Sequence, residues 1–152
     1  MLRFASAGLV GLLLLAGLLN IIRLHPNQVV YFNWLVVGGI EKAATRYETD
    51  YWRNSYKQGL SWVDQQEPVR VGKIAIAAGN GNIRWMIDRD RYEMPRLPDE
   101  AEYYLGTTRF DECKVIPGRI AHTVKVDGAP IMYVIQPDSS YNDDPFFDSP
   151  FR

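Results

Sequence analysis

The strongest candidate for ligand chemistry in this sequence is the glycine-rich segment Gly79-Asn80-Gly81, which lies between a predicted strand and a predicted helix. Phosphate-binding loops occupy this position because the backbone N–H groups at the start of a helix attract anions. The dinucleotide-binding fingerprint requires a third glycine at position 84, where this chain has Arg84. We therefore favour a plain capped turn, with ligand binding as the alternative.

A second candidate for chemistry is the charged run 84–93. Paired carboxylates catalyse proton transfer when a pocket holds them. Alternating signs of charge are more typical of a solvated surface, which is the interpretation favoured here. The six charged residues are Arg84, Asp88, Arg89, Asp90, Arg91 and Glu93.

Three isolated residues complete the search for a reactive group. His122 occupies an inward-facing position of a predicted strand, where a core or interface histidine is favoured over a catalytic one. Cys113 lies in a charged loop with no histidine close in sequence, so a reactive thiol is the minor alternative. Asp50, beside Tyr51 and Trp52, is expected to cap or orient the helix that follows. The sequence thus predicts no catalytic, cofactor-binding or metal-binding residue, and a protein that is not an enzyme on its own.

Composition excludes several classes. The chain of 152 residues has 17 basic and 18 acidic residues, a balance unlike the basic patch of a nucleic-acid-binding protein. A single cysteine excludes an internal disulfide and any multi-cysteine metal site. The two histidines, His25 and His122, lack the spacing of a zinc site.

Residues 4–22 form an uncharged apolar run of 19 residues. As a helix this run would span about 28 Å, close to the ~30 Å hydrocarbon core of a bilayer. A cleaved signal peptide is the first alternative, but such peptides have a shorter apolar region and a small-residue cleavage site, which is missing before Arg23. A buried core helix is the second alternative to a membrane anchor. Residues 1–24 are therefore predicted to be a transmembrane anchor, although Arg3 and Arg23 at its two ends barely decide its orientation.

Small residues lie on one side of this anchor. Ala7 and Gly11 are four residues apart, with Gly8 beside them, a spacing that allows another helix to approach closely. We predict that these three residues dock a second membrane helix. The alternative is the ordinary abundance of glycine and alanine in membrane helices.

The elements that position these residues follow from periodicity. Residues 25–46 are predicted to be a juxtamembrane connector with a short helix near 40–46. Residues 47–136 are predicted to be an α/β domain with a mixed sheet that ends in a β-hairpin. Its helix begins at Asn54 or Ser55 and runs to Gln66, with Gly59 marking close packing. Strands follow at 69–76 and 101–107, with a turn at 78–82 and a short helix at 83–88 between them, and Asp127-Gly128 turns the hairpin.

Residues 137–152 form an acidic, aromatic tail in which three prolines prevent regular structure. Alone, such a segment cannot build a core. The segment is therefore either a flexible end or, because its aromatic residues can dock on another protein, a partner-binding arm. The partner-binding residues of the second interpretation are Tyr141, Phe146, Phe147 and Phe151.

Four segments, taken in order, carry a resemblance to a known family. They are His25-Pro26-Asn27-Gln28-Val29-Val30-Tyr31-Phe32-Asn33; Tyr47-Glu48-Thr49-Asp50-Tyr51-Trp52 with Asn54-Ser55-Tyr56; Glu102-Tyr103-Tyr104-Leu105-Gly106-Thr107-Thr108-Arg109; and His122-Thr123-Val124 with Asp127-Gly128. In this order they resemble the part of bacterial multi-pass glycosyltransferases of the dolichyl-phosphate-mannose mannosyltransferase type (GT-C type) that follows the last membrane helix. The resemblance covers about residues 12–135.

The resemblance implies that the chain corresponds to the last membrane helix and the C-terminal extracytoplasmic domain of such an enzyme. It implies an N-terminus in the cytoplasm and a domain in the periplasm, at the bacterial inner membrane. The family carries its catalytic acid on an early extracytoplasmic loop and binds its lipid-phosphate donor among many membrane helices. Neither part has a counterpart here, and the acidic tail is a further departure from the family.

These observations predict a non-catalytic, single-pass accessory subunit of a larger membrane complex. Its partners would be other integral membrane proteins and the bilayer, with no nucleic acid, no cofactor and no indication of a homo-oligomer. The alternative is the C-terminal part of a split glycosyltransferase that depends on a lipid-phosphate sugar. A third, weaker hypothesis is a sugar-binding module in which Trp52, Trp62 and Trp85 stack on sugars, although such residues are more often core.

Overall fold

The computed structural model describes residues 2–32, 37–66, 72–77, 85–96 and 98–138. The helices in these residues are α1 (Leu2–Leu24), α2 (Gly39–Ala43) and α3 (Tyr56–Gln66). The strands are β1 (Gly72–Ile76), β2 (Tyr92–Glu93), β3 (Tyr103–Thr107), β4 (Gly118–Val126) and β5 (Ala129–Pro137). Short 3-10 segments lie at Gln28–Val30, Pro98–Glu100 and Arg109–Lys114.

The strands form one mixed sheet in the order β2-β1-β3-β5-β4. β1 is parallel to β2 and to β3, whereas β5 is antiparallel to β3 and β4. The predicted α/β class with a mixed sheet is confirmed. β2 was not predicted, because its two residues lie inside the charged run 84–93 and show no strand periodicity of their own.

α3 packs its apolar side on this sheet. Tyr56, Leu60 and Val63 are buried, as their spacing predicts. A Cβ atom added at Gly59 would lie only 2.1 Å from the Cε atom of Met132 on β5. Gly59 therefore marks the close helix–sheet contact that the sequence indicated.

The predicted hairpin is confirmed at β4 and β5. Asp127 and Gly128 have φ angles of 46° and 84°, the positive values that a two-residue hairpin turn of type I′ requires. Ile120, which alternates with His122, Val124 and Val126 along β4, is exposed, whereas Val124 and Val126 are buried. The cause is a register irregularity between Ile120 and His122, which interrupts the alternation along β4.

The predicted helix at 83–88 is wrong over its described part, because residues 85–88 form a turn. The backbone N–H of Asp90 donates to the Asp88 side chain over 3.0 Å. Such local side-chain bonds compete with helix formation, and they direct the chain into β2. Ile87 is buried, whereas Trp85 is almost fully exposed. The glycine-rich segment 78–82 lies outside the described residues.

The connector is part of the core of the domain. Val30 and Ile40 are buried in the same hydrophobic cluster as Leu24 of α1 and Tyr56 of α3. The short helix predicted in the connector is present as α2. At the other end of the domain, β5 continues to Pro137, which the sequence assigned to the tail. The packing joins the end of α1 to the domain without a free linker in the described residues.

Apart from Leu24 at its end, α1 stays outside this core. Its segment Ser6–Leu24 is long and apolar enough to cross a membrane, and only 6% of it is buried. A signal sequence near the N-terminus meets the same criteria of length and composition. The helix thus presents leucine and isoleucine side chains on all sides.

Candidate functional site

A buried ion pair lies between the start of α3 and the segment Arg109–Lys114. The side chains of Arg53 and Glu112 are 12% and 6% exposed. Both Nε and Nη2 of Arg53 donate to the Glu112 carboxylate, with Nε 3.1 Å from Oε1. Such forked arginine–carboxylate contacts fix geometry as well as charge. The pair therefore holds two segments that are distant in sequence.

The Glu112 carboxylate has further donors. The Thr107 hydroxyl donates to its Oε2 atom, and the Tyr56 hydroxyl, which donates to the Leu105 carbonyl over 3.0 Å, lies 3.4 Å from the same oxygen. Burial, and then the charge of Glu112, raise the pKa of Tyr56 well above its usual value. A buried carboxylate with this many donors has its hydrogen-bonding capacity filled, which suits a structural role better than proton transfer.

Asp50 acts as a cap. Its carboxylate accepts hydrogen bonds from the backbone N–H groups of Asn54 and Ser55, over 2.9 and 3.0 Å, and from the Ser55 hydroxyl. These donors precede the first turn of α3. The structural role predicted for Asp50 is therefore confirmed.

Backbone strain surrounds the buried pair. Arg53, Phe110 and Asp111 have φ angles of 57°, 49° and 54°, in the left-handed region that residues other than glycine rarely adopt. Each such residue costs roughly 1–3 kcal/mol and persists only where surrounding contacts enforce it. The pair between Arg53 and Glu112 supplies that enforcement. The neighbouring side chains of Trp52 and Phe110 are left 69% and 68% exposed.

These neighbours form what we name the aromatic–arginine surface, consisting of Tyr51, Trp52, Arg109 and Phe110. The guanidinium carbon of Arg109 lies 4.0 Å from the centre of the Tyr51 ring and 4.5 Å from that of Phe110. Arg109 also donates to the Tyr51 carbonyl and to the Glu48 carboxylate, each over 3.1 Å. Trp52 contacts Tyr51 edge to face. The exposed rings are thus preorganised.

A cavity of about 570 Å³ lies where α1 meets the domain. Asn20 and Arg23 of α1, Phe32, Glu41 of α2 and Asp127 of the hairpin turn are among its lining residues. Nη2 of Arg23 lies 2.9 Å from Oδ2 of Asp127. Both side chains stay accessible, at 60% and 41% exposure. The cavity therefore combines both signs of charge with apolar walls.

Comparison of the chain with protein-family models, with curated proteins and with solved structures gave no match. The resemblance to the mannosyltransferase type therefore stays a prediction.

The predicted helix-docking residues share an open environment. Ala7 is exposed. A Cβ atom added at Gly8 or Gly11 would meet no other atom within 4 Å in the described structure. Tyr141, Phe146, Phe147 and Phe151, the predicted partner-binding residues, lie outside the described residues. The described residues therefore test neither role.

The surroundings of His122 and Cys113 favour structural roles over catalytic ones. The His122 imidazole stacks on the Trp62 ring, with centres 5.0 Å apart and planes 7° apart. This contact agrees with the interface histidine favoured from the sequence, and it occupies one face of the Trp62 ring. Burial raises the pKa of the Cys113 thiol, whereas a nucleophilic cysteine needs a lowered pKa.

The charged run 84–93 is partly used for packing. Arg91 pairs with Asp64 of α3 over 3.0 Å, and the Tyr92 hydroxyl donates to the same carboxylate. Burial and this hydrogen bond raise the pKa of Tyr92. The run therefore ties β2 to α3. Within the described residues, no three His, Cys, Asp or Glu side chains are grouped as a metal site.

Sequence reasoning missed the aromatic–arginine surface. Tyr51 and Trp52 were considered singly, and Arg109 entered only through a resemblance. Arg109 and Tyr51 are 58 positions apart. The only local sequence signal is an arginine followed directly by an aromatic residue, Arg109-Phe110. This pair is too common to indicate a binding surface.

Proposed function

We propose that this protein is a non-catalytic, single-pass accessory subunit of a larger bacterial membrane complex, with its α/β domain on the periplasmic side. The aromatic–arginine surface carries this proposal. Trp, Tyr and Arg are the residues most enriched at binding hot spots between proteins. Tyr51, Trp52 and Phe110 are exposed, their rings contact one another or the Arg109 guanidinium, and Phe110 has a strained backbone. Backbone strain clusters at functional sites.

The anchor supports the same conclusion. α1 exposes its apolar side chains all round, which suits surrounding lipid or neighbouring helices rather than water. Ala7, Gly8 and Gly11 leave room on it for the backbone of another helix. Because α1 is almost unburied within the chain, these contacts are available to a partner.

The surface is connected to the segment that follows α1. The ring of Tyr47 stacks on that of Phe32, centre to centre 6.1 Å, and Phe32 lies eight residues beyond Leu24, the last residue of α1. Glu48, the residue after Tyr47, bonds Arg109 of the surface. On this proposal one membrane protein engages both α1 and the surface.

Extraction of the tagged full chain from native membranes in mild detergent tests the proposal through the proteins that co-purify. The informative variant is Trp52→Ala with Phe110→Ala, which removes the two most exposed rings of the aromatic–arginine surface. Trp85→Ala removes a still more exposed ring outside the surface and is the control. A chain ending at Asp138 tests the tail; the cut belongs there because the Asp138 N–H still donates to the Pro117 carbonyl beside β4.

Co-purification of a large membrane assembly that is lost in the double variant and kept with Trp85→Ala supports the proposal. Recovery with a single multi-pass partner that carries an acidic extracytoplasmic loop would replace it with the split glycosyltransferase. Recovery of the chain alone would reject both.

A further inference from the structure

The cavity at the end of α1 lies at a defined depth if α1 spans a membrane, so this inference rests on the anchoring part of the proposed function. α1 has 23 residues, which extend over about 34 Å at 1.5 Å per residue. The hydrocarbon core is only ~30 Å thick. The last turn, with Arg23, therefore projects among the lipid headgroups, and the cavity opens beside it.

The charges in the cavity are arranged around the hairpin turn. Arg23 uses Nη2 for Asp127, whereas a guanidinium has five donors in total. Oε1 of Glu41 would lie 2.7 Å from a Cβ atom added at Gly128, so this carboxylate rests against the turn that carries Asp127. One cation and two carboxylates therefore face the same space.

We infer that this cavity binds the headgroup of an amine-bearing zwitterionic phospholipid, with the phosphate on Arg23 and a primary ammonium between Glu41 and Asp127. The volume of about 570 Å³ is that of a small-molecule site. An anionic headgroup is disfavoured because the two carboxylates outnumber the arginine. A quaternary ammonium has no N–H to donate to them and instead needs a cage of aromatic rings, whereas among the described residues the cavity has two aromatic side chains, Tyr31 and Phe32.

The test is native mass spectrometry of the purified full chain after exchange into detergent containing equal amounts of phosphatidylethanolamine, phosphatidylglycerol and phosphatidylcholine with identical acyl chains. Hydrogen bonds to charged groups contribute about 1.5–3 kcal/mol, which corresponds to roughly tenfold or more in retention of phosphatidylethanolamine over the other two. The double variant Glu41→Gln, Asp127→Asn should abolish this preference. Arg23→Gln should lower the retention of all phosphate-bearing lipids, and Glu93→Gln, on the exposed side of β2, should change nothing.

Equal retention of phosphatidylglycerol or phosphatidylcholine by the wild type would overturn the inference, as would an unchanged preference in the double variant. Free phosphoethanolamine and inorganic phosphate are added as competitors. Displacement of the lipid by either at equimolar concentration would assign the cavity to a soluble phosphate compound instead. No partner is present in this measurement, so it tests the lipid site separately from the proposed subunit role. If the chain is recovered alone from native membranes but still retains phosphatidylethanolamine selectively, the subunit proposal is rejected and the lipid site is supported.

Discussion

Arg53 with Glu112 and Arg23 with Asp127 are chemically similar pairs in very different surroundings. The first is almost completely buried and shares its carboxylate with two hydroxyl groups. The second is largely exposed, and each partner faces a cavity. Removal of one partner from a buried pair leaves an unpaired charge in the protein interior. An exposed pair is solvated whether or not it forms.

The comparison assigns different tasks to the two regions. The buried pair holds the strained backbone that exposes Trp52 and Phe110, so it serves the aromatic–arginine surface indirectly. The exposed pair at the end of α1 can exchange partners at little cost. The proposed headgroup site therefore uses the second region and not the first.

The largest effect is expected from Glu112→Ala. This substitution removes the carboxylate paired with the buried Arg53 and deprives Thr107 of an acceptor, which should lower the free energy of unfolding by about 3–5 kcal/mol. Urea unfolding of the full chain in mild detergent, followed by tryptophan fluorescence, measures it. Glu48→Ala breaks the more exposed pair with Arg109 and should cost about 1 kcal/mol or less. A loss as small for Glu112→Ala as for the control would show that water reaches the pair.

The next largest effect is expected at Gly106 of β3, where the segment Arg109–Lys114 crosses the strand. An added Cβ atom would lie 2.8 Å from the Glu112 carbonyl oxygen and 2.9 Å from Cys113 Cα, both backbone atoms that cannot turn away. Gly106→Ala should therefore destabilise the protein by about 1–3 kcal/mol.

Gly72→Ala is the matched control, because its new methyl group would meet only the flexible Glu102 carboxylate, at 3.3 Å. Its effect should stay within about 0.5 kcal/mol, as for ordinary surface changes. Equal unfolding curves for the two variants would mean that the segment is free to move off β3, against the role assigned to the buried pair.

Local patterns predicted the parts of the fold that depend on local chemistry. The spacing of Tyr56, Leu60 and Val63 predicts the buried face of the helix that ends at Gln66. The pair Asp127-Gly128 predicts the hairpin turn, because aspartate and glycine both tolerate positive φ. In each case the sequence signal and the structural cause lie within a few residues of each other.

The candidate surface has the opposite character. Arg53 and Glu112 are 59 positions apart, and no local pattern joins them. Phe110 adopts a positive φ although its residue type disfavours it, because tertiary contacts impose the conformation. β2 likewise depends on pairing with β1 and on the contact of Tyr92 with Asp64. Such features depend on the assembled fold, so sequence reasoning could not find them.

A smaller effect is expected from alkaline pH. The pKa of Tyr56 in the folded chain lies well above the ordinary value of 10.0. The folded chain therefore keeps a proton that the unfolded chain releases above pH 10. The resulting stabilisation is fully present below pH 10 and is lost as pH rises toward the folded pKa, at up to about 1.4 kcal/mol per pH unit.

Tyr56→Phe should reduce this slope. At pH 8 it should cost about 1 kcal/mol for the lost hydrogen bond to the Leu105 carbonyl. Unfolding by urea at pH 8, 10 and 11 measures both quantities, and Tyr47→Phe, at an exposed side chain, is the control. A slope that is the same in Tyr56→Phe and wild type would show that other groups control alkaline unfolding.

The smallest effect is expected from Asp127→Asn at the exposed pair. Asparagine tolerates the φ of 46° as well as aspartate does, so the turn should survive and only the charge is lost. An exposed ion pair contributes about 0–1 kcal/mol, and salt screens even that. Unfolding at low salt and in 0.5 M NaCl should therefore give nearly superimposable curves for variant and wild type. A loss of 2 kcal/mol or more would make the pair between Arg23 and Asp127 a structural clamp. Its charges would then be unavailable to a headgroup, and the proposed lipid site would be rejected.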